Sequence, residues 1–268
     1  MFNKYSAVIV SIIVLVIITI KPLDRTPLES TFYYKNTLKK INYDSPTNVV
    51  GDTIKVGWAK KSLIPEYLTP MAGYGARKGA DFEGVYDSIW VRAVVFDNGE
   101  TVSAYVSMDL LIVPPSLEHN KIAEGIGIKS ENIFFTASHT HSSIGGYLEG
   151  LAGNIFGGEY DQRNLDFITS KTKEAIIEAM KDLEKASIGF GSIYAADFIT
   201  NRLVGDSLGS YDPFLRVIKI VRDDGDKASI FSYSAHATCF GHKQRNLSGD
   251  YPNSIISLLE SNDDVDFA

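Results

Sequence analysis

The sequence is poor in cysteine and lacks a long basic run, and each deficit excludes a class of protein. Cys239 is the only cysteine in 268 residues, so an internal disulfide and a zinc site built on paired cysteines are both excluded. The formal net charge is -7, without clustered Lys and Arg, which argues against nucleic acid as the main partner. The remaining composition, 44% hydrophobic and 22% charged, is typical of a globular protein.

A short apolar segment lies at the N-terminus. Lys4 precedes residues 7–20, which are rich in Ile and Val, and Lys21 and Arg25 follow them. The segment is short for a membrane span but fits the hydrophobic region of a signal sequence. Because no small-residue cleavage site follows, residues 1–21 are predicted to form an N-terminal hydrophobic helix that is either a signal-anchor or a signal peptide. We therefore expect a protein that is membrane-anchored with its domain outside the cytoplasm, or secreted.

The rest of the chain divides into a polar, proline-containing linker at 22–52 and one domain at 53–268. Alternating or apolar segments predict strands, and Asn98-Gly99 between two of them is a strong hairpin signal. We expect strands at 54–59, 89–96, 101–107, 133–135, 187–194, 214–221 and 228–236, helices at 116–125, 165–183 and 252–260, and a glycine-rich loop at 145–163. Hairpins mixed with helical crossovers predict an α/β fold, with mixed β-sheets sandwiched with helices.

Two histidines follow the short apolar strand predicted at 133–135. His139 and His141 are separated by one residue, so in extended backbone their side chains point the same way. Serines and glycines follow them, and these small residues let the backbone approach a ligand closely. Imidazoles that end a strand and open into such a loop are typical of metal hydrolases. A hydrogen-bonded histidine pair in a turn is the alternative interpretation.

A catalytic zinc ion needs about three protein ligands and one open position. His236 ends another predicted strand and supplies, with His139, two of them; His141 could be the third. Asp109 and Asp250 are the best-placed carboxylates. The residues by themselves therefore predict an incomplete metal site.

The other polar candidates each have an ordinary structural explanation. Arg202 is expected either in a surface salt bridge or as a guanidinium that holds an anion. Asp212 and Asp250 are expected in turns or helix caps, His119 and His242 on the surface, and Cys239 in the core.

Taken together, these stretches resemble the N-terminal catalytic domain of the neutral/alkaline (non-lysosomal) ceramidase family. The resemblance covers roughly Ile54 to the end of the chain, and its landmarks occur in the family's order and approximate spacing. They are Met71-Ala72-Gly73-Tyr74, Asp109, Ala137-Ser138-His139-Thr140-His141-Ser142, Asn201-Arg202, Asp212-Pro213, Ala235-His236 and Ser248-Gly249-Asp250.

The resemblance implies a zinc-dependent amidohydrolase that cleaves the N-acyl bond of ceramide to sphingosine and a fatty acid. His139 and His236 would be ligands of Zn²⁺, His141 and Arg202 would line the reaction centre, and Gly73 would lie beside the water and the scissile amide. The implied partners are a lipid substrate and, through the N-terminal segment, a membrane.

The chain departs from the family in two respects. It has Ser143-Ile144 where the family usually has Gly-Pro. The family's catalytic serine and its remaining zinc ligands, a glutamate and a tyrosine, would lie beyond residue 268. We therefore expect this chain alone to bind zinc weakly and to hydrolyse little. A non-catalytic, lipid-binding member of the family and a metallohydrolase of another N-acyl compound are the alternatives.

Overall fold

The computed structural model describes residues 4–19, 26–43, 53–203, 205, 207, 209–262 and 265–268, and it divides at Val49–Val50 into two units. The first unit contains α1 (Lys4–Thr19) and α2 (Phe32–Tyr43). Helix α1 has exposed Ile, Val and Leu side chains along its length. In the described parts of the chain, no helix combines the length and apolarity required to cross a membrane. Helix α2 lies in the predicted linker, where the polar sequence did not predict a helix.

The second unit is built on a seven-stranded mixed sheet, which confirms the predicted α/β class. The strand order is β5-β4-β3-β1-β6-β7-β8, in which only β4 and β5 pair in parallel, and β2 and β9 form a separate parallel pair. The strands are β1 (Ile54–Ser62), β2 (Gly84–Val85), β3 (Trp90–Asp97), β4 (Val102–Met108), β5 (Ile133–Ala137), β6 (Glu184–Tyr194), β7 (Phe214–Arg222), β8 (Lys227–Ser232) and β9 (Asn246–Leu247). The helices are α3 (His119–Ala123), α4 (Gly150–Gly157), α5 (Gln162–Lys181) and α6 (Asp250–Ser261).

Three local predictions were wrong. Helix α4 lies inside the predicted glycine-rich loop. Strand β8 ends at Ser232, so His236 lies in the following loop and not at a strand end. Helix α3 begins only at His119, three residues after its predicted start, and the Ser116 hydroxyl donates to the Glu149 carboxylate at 3.1 Å.

Strand β3 is buried on both faces of the sheet, whereas β6 is largely exposed. In β3, Val91, Ala93 and Val95 join the main core, which includes α3 and α5, whereas Val94 faces the opposite side. Helix α5 packs against β1 and β3, and Gly57 permits its close approach because a Cβ at that position would overlap the Ala179 carbonyl. A cavity of about 320 Å³ lies on the other face, between β4, β5, β8 and α6.

Asp109, a predicted candidate carboxylate, is part of the scaffold. Its side chain is buried, accepts the Trp90 N–H at 2.9 Å and pairs with Arg92 at 2.8 Å. Arg92 also donates to the Asn253 side chain on α6 at 2.9 Å. The Asp109 carbonyl accepts the Ser143 hydroxyl at 2.5 Å, which connects this network to the histidine-bearing loop. Asp109 therefore fixes α6 and that loop to the sheet.

We predict that Asp109→Ala will lower the free energy of unfolding by about 3–5 kcal/mol, because it leaves the Arg92 charge buried without its partner. Chemical denaturation measures the change. Glu118→Ala is the control, since it removes an exposed ion pair with Lys121 and should leave stability almost unchanged. Equal, small losses in the two variants would contradict the scaffold role.

Candidate metal centre

His139 reaches the site through a turn and not through extended backbone. The chain leaves β5 with the Ser138 N–H bonded to the Met108 carbonyl at 2.9 Å, and His139 then adopts φ 60° in the left-handed region. Its Nδ1 lies 2.6 Å from the Leu111 carbonyl oxygen. A carbonyl can only accept, so Nδ1 carries the proton and the lone pair of Nε2 remains open to the site.

Two further imidazoles converge on His139. The Nε2 atoms of His141 and His236, 95 residues apart, lie 2.9 Å from each other. Each of the three rings offers a nitrogen within 4.8 Å of the others. His139 and His141 are partly buried, whereas His236 is exposed. The structure thus brings together the three histidines that the sequence selected, including the proposed third ligand.

Local electrostatics keep two of these rings neutral. Burial, reinforced by the neighbouring His139 and His236, lowers the pKa of His141 to about 4. Burial and then the positive charge of Arg202 lower the pKa of His236. At neutral pH both side chains are therefore imidazoles, the form that binds metal ions.

Gly73 lies directly against His141. It has φ 115°, and a Cβ at this position would lie 2.6 Å from both Cα and Cβ of His141. Its N–H donates to the Phe156 carbonyl at 2.8 Å, and the preceding Ala72 N–H donates to the Ser143 carbonyl at 3.0 Å. Only glycine combines this conformation with this approach, so Gly73 forms one wall of the site.

Buried groups fix the loop that follows His236. Asp250, buried and at φ 59°, accepts the N–H groups of Cys239 and Phe240, both at 3.3 Å. The Tyr74 hydroxyl donates to the Phe240 carbonyl at 2.7 Å, and its ring lies 4.9 Å from that of His141. Asp250 is therefore a support for the His236 loop.

Of the remaining candidates, only Arg202 acts on the centre. It is exposed, but it lies close enough for its positive charge to contribute to the lowered pKa of His141 and of His236. Asp212 pairs with Arg216 at 2.6 Å and accepts a backbone N–H, as predicted for a turn. His119 and His242 are exposed, as predicted, but Cys239 is also exposed, so its predicted place in the core was wrong.

Sequence reasoning missed Arg77. This residue is buried beside the histidines and bonds to backbone carbonyls. The available signal was Arg77-Lys78 between Gly75 and Gly79, but exposed cations are common in glycine-rich stretches as well.

The chemistry of this donor set fits zinc. Two nitrogens that are each bonded at about 2.0–2.1 Å to one tetrahedral zinc ion lie roughly 3.4 Å from each other. In this cluster the ring nitrogens of His141 and His236 are 2.9 Å apart, and all three rings have nitrogens within 4.8 Å of one another, so the expected distance lies inside this range. Exposure of His236 leaves the centre open to solvent on one side. Neutral imidazoles suit binding of a metal ion, and the nearby charge of Arg202 and the open space at Gly73 suit binding of a carbonyl group.

Comparisons with known proteins give one consistent result. The model of a family described as neutral/alkaline non-lysosomal ceramidase, N-terminal, matches residues 65–266. A solved structure of a ceramidase complexed with C2 is similar, with a TM-score of 0.69 at 20% identity over 78% of this chain and 35% of that one. A neutral ceramidase from Pseudomonas aeruginosa gives a TM-score of 0.67 at 20% identity, over 78% of this chain and 36% of that one. The chain therefore spans about a third of the length of these structures, and the likeness shows a shared fold.

We predict that Gly73→Ala will weaken metal binding and also lower stability, because its Cβ must displace the backbone of His141. Metal titration and chemical denaturation measure the two effects. Gly99→Ala is the matched control: Gly99 has φ 85° with open space around it, so that variant should lose about 1–3 kcal/mol through backbone strain and keep its metal affinity. Unchanged metal affinity in Gly73→Ala would contradict the close contact.

Proposed function

The chain belongs to the neutral/alkaline non-lysosomal ceramidase family, and from this we propose that it carries the first part of the active site of a zinc-dependent amidohydrolase. The proposed reaction is cleavage of the N-acyl amide of ceramide to sphingosine and a fatty acid. The convergence of His139, His141 and His236 is the observation that carries the proposal. Hydrolysis of an amide needs an activated water and a stabilised carbonyl oxygen, and such a cluster is suited to both.

His139 and His236 are the proposed zinc ligands. The Leu111 carbonyl fixes the tautomer of His139 and aims its Nε2 at the site, as hydrogen-bonded partners commonly do for metal-binding histidines. His236 brings its Nε2 to the same place from the other loop. Bound zinc would supply a Lewis acid that activates water and polarises the amide carbonyl.

His141, Arg202 and Gly73 are the proposed reaction-centre residues. Neutral His141 can accept a proton and return it to the leaving amine, which is the role of a general base and then a general acid. The Arg202 guanidinium, within electrostatic range, would stabilise negative charge that develops on the carbonyl oxygen. The absence of a side chain at Gly73 leaves room for the amide next to His141.

We further propose that α1 attaches the protein to a lipid bilayer, with the domain outside the cytoplasm. Its exposed apolar side chains from Val8 to Ile18 support this, because such a surface is stable in acyl chains and costly in water. We predict that deletion of residues 4–19 moves the protein from the floating membrane fraction to the soluble fraction in a flotation assay. Deletion of 32–43 is the control; equal partitioning of the α1 deletion and the intact chain would contradict anchoring.

We predict that the chain binds about one zinc ion and that His139→Ala and His236→Ala each abolish this binding. Titration with zinc at equilibrium measures the stoichiometry, and His119→Ala and His242→Ala are matched controls on exposed histidines. Affinity should fall as the pH becomes acidic, because protons compete with zinc for the imidazoles; the lowered pKa of His236 moves this loss to a lower pH than for an ordinary imidazole.

Loss of zinc binding in all four variants, or in none, would overturn the metal assignment. Substrate choice needs a second assay, in which turnover of a ceramide is compared with that of a short N-acyl amide. Preference for the short amide would favour a metallohydrolase of another N-acyl compound.

A further inference from the structure

Arg77 is a buried cation without an acidic partner. The residue is only 6% exposed, and burial lowers the pKa of its guanidinium. Over the described part of the chain, no carboxylate forms an ion pair with it. Removing a guanidinium from water costs several kcal/mol unless hydrogen bonds replace the lost hydration. Its surroundings must therefore supply an unusual number of acceptors.

These acceptors are four backbone carbonyl groups. Nη1 donates to the carbonyls of Ala72 at 3.0 Å and His141 at 2.6 Å. Nη2 donates to the carbonyl of Gln244 at 3.0 Å, and Nε to that of His242 at 3.3 Å.

Each acceptor lies on a segment that carries part of the site. Ala72 precedes the Gly73 wall, His141 is itself one of the three histidines, and 242–244 belong to the loop that follows His236. The Tyr74 ring, which contacts His141, also lies 4.9 Å from the guanidinium carbon. A planar group with five donors can join three segments at once, whereas a lysine ammonium would reach one or two carbonyls.

We propose that Arg77 is a positioning residue that holds the three loops of the metal centre in register, so that the imidazoles of His141 and His236 meet. The proposal rests on the zinc site proposed above. Arg77 does not contact the histidine rings through its own donors; it acts through the backbone of His141 and through the loop after His236.

The chain offers a matched control in Arg222. This arginine is also buried, donates to the Val56 and Asp182 carbonyls at 3.0 and 2.8 Å, and lies 3.4 Å from the Trp58 ring. It also pairs with the carboxylates of Asp182 and Asp226, so its contacts are on β1, the turn after α5 and the turn after β7, away from the histidines. Removing it should affect stability alone.

The experiment compares Arg77→Met, Arg77→Lys and Arg222→Met in the full chain. The first readout is zinc affinity by competition with a chelator. The second is hydrogen exchange of the His141 amide in metal-free protein, because this N–H donates to the Ala237 carbonyl at 3.3 Å and so reports the register of the two histidine loops. Denaturation of each variant gives its stability.

We expect Arg77→Met to weaken zinc binding about 10–100-fold and to accelerate exchange at His141. Arg77→Lys should remain folded, recover part of the affinity and show intermediate exchange. Arg222→Met should lose stability while zinc affinity and His141 exchange remain those of the unmodified chain.

Two outcomes would overturn the inference. One is a folded Arg77→Met or Arg77→Lys with unaltered His141 exchange; the other is Arg222→Met with the same losses at the site as Arg77→Met. If Arg77→Met does not fold, Arg77→Lys decides by itself. If the unmodified chain binds no zinc, the proposed function fails, but the exchange data still decide whether Arg77 sets the loop register.

Discussion

The structure depends on one constraint: three rings from two loops that are distant in sequence must meet, and hydrogen bonds to the main chain bring them together. His141 donates its N–H to the Ala237 carbonyl, which links the two histidine loops directly. The Thr140 hydroxyl bonds to the Ser248 carbonyl at 2.8 Å, and the Ser248 N–H returns to the Ser142 carbonyl at 2.7 Å. The imidazoles themselves contribute little to this framework, so the protein can hold them neutral and open.

The fold follows from local patterns where those patterns are strong. Alternation over β1 and the Asn98-Gly99 turn between β3 and β4 both predicted structure that is present. Helix α4 was missed because Gly150, Gly153 and Gly157 disfavour a helix by propensity, while tertiary contacts stabilise it. Strand β8 ends earlier than its apolar sequence suggests, since the pairing with β7 stops at Ser232.

The members of the histidine cluster were predictable from the sequence, but its geometry was not. Spacing selected His139 and His141, yet the extended backbone that motivated their pairing is absent, because His139 adopts a left-handed conformation. A carboxylate such as Asp109 could bind a metal ion, and only the three-dimensional structure shows that it is paired with Arg92 instead. Arg77 donates to main-chain carbonyl groups, which every residue type has, so its partners could not be identified from the sequence. Resemblance to the ceramidase family is the source of the proposed residue roles, which spacing alone left open.

The acceptors of Arg77 have a consequence for how the site responds to acid. Carbonyl oxygens do not titrate in the range where imidazoles do, and a guanidinium keeps its proton throughout. Protonation of the histidines would therefore expel a bound cation while the surrounding backbone stays assembled. On return to neutral pH the histidines would lose their protons while the loops are still in place. Release and rebinding of the cation would therefore be reversible without refolding.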